Sequence, residues 1–218
     1  MYLSIKDIKK QGGVMPVKKI RKVDEKKKMK HKAIVNAAIE VFAEKGFHNT
    51  KIKDIAKLAN VADGTVYLYF TTKDDLFIKA FDELISEKLI VMKELINEEN
   101  TYFEQLSQFF DYHVKLFTDE PYIARFLSIE LRQSSEFYKK YPDYQPIKRY
   151  LSFLQEIIVK AIKEGSIRDV DPVTLSYIMF GTMDFVLTEW STKDQPFTLD
   201  DILQKVKDIL RYGYLSGN

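Results

Sequence analysis

The stretch Val61–Phe70, VADGTVYLYF, sets three aromatic rings beside a glycine and a threonine within ten residues. Composition favours a strand, because aromatic and β-branched residues suit a pleated surface. The neighbours oppose it. Upstream, KIKDIAKLA (51–59) turns Ile52, Ile55, Ala56 and Ala59 to one side at helical spacing, with Thr50 placed to cap it. Downstream, TTKDDLFIKAFDELISEKLIVMKELI (71–96) is a long amphipathic helix with Thr71 or Thr72 as its cap and Asp74 and Asp75 in its first turn. A lone strand between helices has nothing to pair with. The stretch therefore reads as a short helix opened by Ala62 or Asp63. Val66 and Phe70 turn inward, Thr65, Tyr67 and Tyr69 turn outward, and Gly64 lets the backbone approach a surface.

Outward from there the pattern stays helical. Before it, Ile34, Ala37, Ala38, Val41 and Phe42 recur three and four residues apart from about Lys28, and Gly46 stands at the C-cap position. After it come TYFEQLSQFFDYHVKLF (101–117), with Phe103, Leu106, Phe110 and Phe117 inward, and YIARFLSIELRQSSEFYKK (122–140). A proline-broken link then leads to IKRYLSFLQEIIVKAIKEG (147–165). Asp171-Pro172 opens VTLSYIMFGTMDFVLTEW, apolar nearly all round and so expected to be buried on more than one side. Thr198 and Asp201 begin a last helix. The fold class is all-α: a three-helix helix-turn-helix head over 28–73, then a larger helical domain over 74–218.

Charge divides the same way. The 218 residues carry a net +2, yet residues 17–73 hold 14 Lys and Arg against 6 Asp and Glu. Residues 74–218 hold 17 against 25. A basic head on an acidic body suits a polyanion partner; the competing reading is an ordinary solvated charge run. Residues 1–27 form a basic extension, flexible or partly helical. Within it, the codons for QGGVM admit a ribosome-binding sequence just before an ATG, so Met15 is a candidate start and 1–14 a candidate leader.

There are no cysteines, which fits a reducing cytoplasm and removes thiolate metal sites and cysteine nucleophiles. No apolar run reaches the length of a membrane span. Phosphate loops, nucleophile elbows and histidine pairs at metal spacing are missing, and His31, His48 and His113 lie far apart in sequence. Neither an enzyme nor an adaptor bundle is favoured, and salt-dependent binding to duplex DNA separates them from a DNA-binding protein.

The segment AAIEVFAEKGFHNTKIKDIAKLANVADGTVYLYFTTKDDLF (37–77) resembles the DNA-binding domain of TetR-type repressors, through Phe42, Gly46-Phe47, Thr50, Asp54-Ile55-Ala56, Gly64-Thr65, Tyr67, Tyr69-Phe70 and Lys73. The resemblance implies that Lys51, Asp63 and Gly64 sit near base edges, with Thr65 and Tyr67 close by. Thr50, Thr65, Tyr67, Tyr69 and Lys73 would serve the phosphates. Lys51 stands where a hydroxyl residue is common and Leu68 where a histidine is. Asp63 is an unusual neighbour for DNA, able to accept only from a base amino group.

The resemblance also implies a dimer formed through the helices near 147–164 and 172–191, binding a two-fold operator and released by a small hydrophobic effector. FLSIELRQS and GTMDFVLTEW are similar to FadR-type repressors of fatty acid degradation, whose effectors are long-chain acyl-CoAs. On that reading Phe109, Phe110, Phe126, Leu127, Leu131, Met179, Phe180 and Met183 line an apolar tunnel, while Arg125, Arg132, Lys139, Lys140, Lys148 and Arg149 offer cations to the CoA phosphates. A multidrug- or metabolite-sensing repressor with another apolar ligand is the alternative. Asp184 and Glu189 are expected to contact a ligand, to lie at the dimer seam or to make a structural hydrogen bond, with the last two favoured.

Overall fold

The computed structural model describes the backbone of residues 17–130, 135–192 and 198–213, and side chains within 25–127, 137–190 and 198–213. The leader reading for residues 1–14, and the site candidates Leu131 and Arg132, lie outside the described residues. Every element among the described residues is helical.

Helix α1 runs over Val17–Asn49 and so begins well before Lys28. Nothing between Pro16 and Gly46 interrupts it, and lysine is a good helix former. Gly46 breaks the helical dihedrals with φ 76°, a left-handed value that glycine adopts without a Cβ clash. Helix α2 covers Ile52–Leu58 and α3 covers Asp63–Tyr67. VADGTVYLYF is therefore helical, with Ala62 at the N-cap and Val66 and Phe70 buried.

Thr50 does not cap α2. Lys51 holds that position without a side-chain cap, while the Thr50 hydroxyl donates to the Gly46 carbonyl at 2.7 Å and the Val41 carbonyl at 3.4 Å. The hydroxyl closes the end of α1 instead.

Helix α4 (Lys73–Leu95) starts on Thr72, whose hydroxyl accepts from the Asp75 N–H at 3.0 Å. Its inner stripe of Leu76, Phe77, Ala80, Phe81, Leu84 and Leu89 packs first against the head and then against the second domain. At the junction the Phe77 ring meets Phe42, Phe47, Phe126 and Phe137, with centroids 4.9–6.1 Å apart. One aromatic cluster thus joins both domains.

Helix α5 (Tyr102–Asp119) opens with a capping box of Thr101 and Glu104, and α6 (Pro121–Glu130) lies along α1. Leu106, Phe110 and Phe117 are buried as expected, but Phe103 is only half-buried, with the Arg211 guanidinium 4.6 Å from its ring centre. Then come α7 (Ser135–Lys140), α8 (Lys148–Lys163), α9 (Pro172–Thr192) and α10 (Leu199–Tyr212). Asp171 accepts from the Thr174 N–H at 2.7 Å and Thr198 from the Asp201 N–H at 3.1 Å. Those two caps fix where α9 and α10 begin.

Helix α9 departs from expectation. Met179, Met183 and Leu187 face the core, but Val173, Tyr177, Ile178 and Phe185 on the other side are exposed, Phe185 by 64%. Gly181 lies on that outer side, and no atom comes within 4 Å of where its Cβ would stand.

Candidate nucleic-acid interface and ligand cavity

The head presents α3 on its surface. Tyr67 is 55% exposed and Leu68 83%, because Val66 and Phe70 take the two inward positions of the turn. Asp63, Gly64 and Lys51 are exposed and Thr65 is half-exposed. A Cβ added at Gly64 would meet nothing within 4 Å, so the fold of the free chain does not require glycine there. Asp63, Gly64, Thr65 and Tyr67 form an accessible patch on α3, and Lys51 is exposed at the N-terminal end of α2. Tyr69 belongs to it only in part. Its half-buried ring stands 6.0 Å from the His31 ring, which in turn meets Glu83 on α4 at 2.6 Å.

Two candidates leave the patch. Thr50 is 2% exposed, and both its hydroxyl and its N–H are directed to α1 carbonyls. Lys73 points inward as well. Its ammonium donates to the carbonyls of Phe47 at 2.8 Å, Thr50 at 3.1 Å and His48 at 3.4 Å, and lies 4.5 Å from the centre of the Phe47 ring. Partial burial lowers its pKa, with the Asp74 charge opposing. The α1 terminus leaves carbonyls without helical partners, and a cation is the natural group to collect them. In the free chain Lys73 is a clasp within the head.

Next along the chain, Asp74 turns the other way. It accepts from Lys140 Nζ and, at 2.7 Å, from the Tyr141 hydroxyl. Burial pushes its carboxyl up, but those two hydrogen bonds outweigh burial and hold it below its ordinary value.

The second domain holds a narrow, partly open cavity of about 60 Å³. Helix α4 supplies Phe81, Leu84, Ile85, Leu89 and Met92, and α5 supplies Tyr112, His113, Leu116 and Phe117. Leu127, Tyr150, Phe180, Met183 and Leu187 close the far wall. Nearly all of this surface is hydrocarbon. The polar exceptions are Lys88, Asp184, Tyr112 and the pair His113–Tyr150. Lys88 is held 3.0 Å from Glu120, and Asp184 sits on the cavity wall, not on the outer α9 face.

Of the tunnel candidates, Leu127, Phe180 and Met183 line the cavity. Phe109, Phe110, Phe126 and Met179 do not: all four are core side chains sealed from the space. Arg125 is exposed outside it. Helical spacing identified the inward face of each helix but not which inward residues border a void.

His113 does more than fill space in the core. The ring is buried, with Nδ1 2.6 Å from the Phe109 carbonyl and Nε2 bonded to the Tyr150 hydroxyl. Burial lowers its pKa to about 4, although the Phe109 carbonyl pulls the other way. The neutral ring therefore donates from Nδ1 and accepts at Nε2. Its sequence signal was position: His113 follows Phe109 by four residues and Phe110 by three, on the apolar face of α5.

An exposed helix-turn-helix head joined to a helical domain with an apolar cavity defines a DNA-binding regulator. Residues 34–80 match the family model described as bacterial regulatory proteins, tetR family, and residues 79–213 match that of the YsiA-like protein C-terminal region. The chain belongs to the TetR family of transcriptional regulators. It is 36% identical over 189 residues to the fatty acid metabolism regulator protein of Bacillus subtilis, covering 86% of this chain and 96% of the relative. A crystal structure of Bacillus subtilis FadR in complex with stearoyl-CoA superposes with a TM-score of 0.76 at 35% identity, over 84% of this chain and 98% of that one. FadR from Bacillus halodurans gives the same TM-score at 32% identity, over 84% and 99%. Among the described residues, no helix is long and apolar enough to cross a membrane.

Proposed function

We propose that this chain is a dimeric cytoplasmic repressor of fatty acid metabolism genes that leaves its operator when a long-chain acyl-CoA enters the second domain. The observation that carries the reading is the position of the cavity. One wall is α4, the helix whose first turn grips the head. A chain of methylenes gains about 0.8 kcal/mol per CH₂ buried, so a hydrocarbon lining favours an acyl chain once the helices part to admit it. The stearoyl-CoA complex of a FadR relative supports the same ligand class.

Dimerisation follows from the outer face of α9. Exposed Val173, Tyr177, Ile178 and Phe185, with Gly181 among them leaving room for close approach, suit a second copy of the same helix pair. Two heads then present Lys51, Asp63, Gly64, Thr65 and Tyr67 to two half-sites, with Tyr69 at the edge of each. Effector binding shifts α4 and alters the separation of the heads, so both half-sites are no longer engaged together. The effector must favour the DNA-incompetent state for this to work. No step in this scheme makes or breaks a covalent bond, so the chain acts as a regulator and not as an enzyme.

The test is operator release. A duplex selected from random-sequence DNA by the full chain is titrated by fluorescence anisotropy with stearoyl-CoA, free CoA and stearate. Release by stearoyl-CoA alone supports the reading. Tight stearoyl-CoA binding with unchanged operator affinity makes it a passenger, and an unrelated apolar ligand that releases the duplex would replace it.

A further inference from the structure

The N-terminal part of α1 has no role in the account above. The family model for the head begins at residue 34, and Ile34 is the first buried side chain described. The helix begins at Val17, seventeen residues earlier, which is about 25 Å of helix at 1.5 Å per residue. This segment carries Lys18, Lys19, Arg21, Lys22, Lys26, Lys27, Lys28, Lys30 and Lys32 against Asp24 and Glu25. Lys18, Lys22, Lys26 and Lys30 recur every four residues in the sequence, and the described Lys26 and Lys30 stand about one helical turn apart. Lys26, Lys27, Lys28 and Lys30 are exposed and make no ion pair with any described carboxylate.

Its direction is fixed by the head. His31 packs against Tyr69 at 6.0 Å and Phe70 at 5.1 Å, at the C-terminal end of the stretch that holds α3. The lysine-bearing helix therefore leaves the head beside the edge of the DNA-facing patch. It is continuous with the helix that builds the head's core, so Lys26, Lys27, Lys28 and Lys30 are carried on a helix joined to the head.

We infer that residues 17–32 are a second DNA-contacting element, a helical rail that lies along the phosphates flanking each half-site and lengthens the operator footprint. Its ligand is the duplex backbone, recognised through charge and without base sequence. The inference rests on the regulator reading of the head.

The test compares the full chain with a variant carrying Lys26→Gln, Lys27→Gln, Lys28→Gln and Lys30→Gln. Each binds a duplex selected from random sequence by the full chain, once trimmed to the half-sites and once with ten added base pairs on either side. The full chain should gain affinity on the longer duplex, and the variant should lose most of that gain. Its salt slope should fall by about 1.8 if each subunit loses even one phosphate contact, at about 0.9 per contact. Arginine at the same four positions should restore the slope, and an unchanged thermal midpoint shows that the head is still folded. Equal slopes and equal flank gains for the two proteins overturn the rail. If the full chain binds no duplex at any length, the regulator reading fails and takes this inference with it.

Discussion

The head and the cavity are both built from amphipathic helices, yet the residues that matter in each are found differently. In the head the candidate surface is convex. Whatever the helical period does not bury is available, and α3 shows this with Val66 and Phe70 in and Tyr67 and Leu68 out. In the second domain the candidate site is concave. Its wall is a selection from the inward residues of several helices, so Phe110 and Met183 share a periodicity class but only Met183 borders the space. A convex site is decided one helix at a time, whereas a concave one is decided by how helices meet.

The strongest way to break that contrast is to remove the cluster that both regions share. Phe77→Ala deletes a fully buried ring between Phe42, Phe47, Phe126 and Phe137. It should cost about 3–5 kcal/mol in urea unfolding. A loss confined to the head, with the second domain unfolding at its usual midpoint, would show that the two regions are not one cooperative unit.

Acid should act on the cavity side first. His113 is neutral in the fold with a pKa of about 4, against 6.5 for a free imidazole. The unfolded chain therefore binds a proton across that window while the folded one does not. Stability is fully present above 6.5 and falls as pH drops from 6.5 to about 4, by roughly 3 kcal/mol in all. His113→Gln should flatten this part of the curve, and a wild-type profile that is already flat between 6.5 and 4 contradicts the buried, neutral assignment.

Lys73 sharpens the comparison within the head. Lys73→Met leaves three α1-end carbonyls without their cation and should cost about 1–2 kcal/mol. Because the ammonium points inward, the salt slope of operator binding should stay as it is; a slope that falls by about 0.9 per subunit would restore Lys73 to the phosphate contacts. The smallest structural effect belongs to Gly64→Ala. With open space at the Cβ and helical placement, alanine should stabilise the chain by up to about 1 kcal/mol. Operator affinity should nevertheless drop at least tenfold, as measured by anisotropy. Unchanged affinity would mean that no base or phosphate comes near this backbone.

The helical order and most helix starts were legible in the sequence because capping residues and prolines act locally: Thr72, Thr101, Asp171 and Thr198 all cap where helices begin. Period alone sorted this stretch into inward Val66 and Phe70 and outward Tyr67, but turned Tyr69 outward where its ring is half-buried against His31. The roles of Thr50 and Lys73 were not legible, since a hydroxyl or an ammonium near a helix start serves a phosphate or a neighbouring helix end equally well. Only the three-dimensional path of α1 past Gly46 brings its open carbonyls to both. The cavity pair His113–Tyr150 was hidden for a similar reason: the partners are 37 residues apart, on different helices.

Lys73 and Asp74 are chain neighbours, yet one holds the end of the first helix and the other holds Lys140 and Tyr141 beyond the domain junction. The two halves of the molecule are thus geared through a single helical turn. Whatever shifts the segment around 137–141 therefore pulls on the same turn that holds the end of α1.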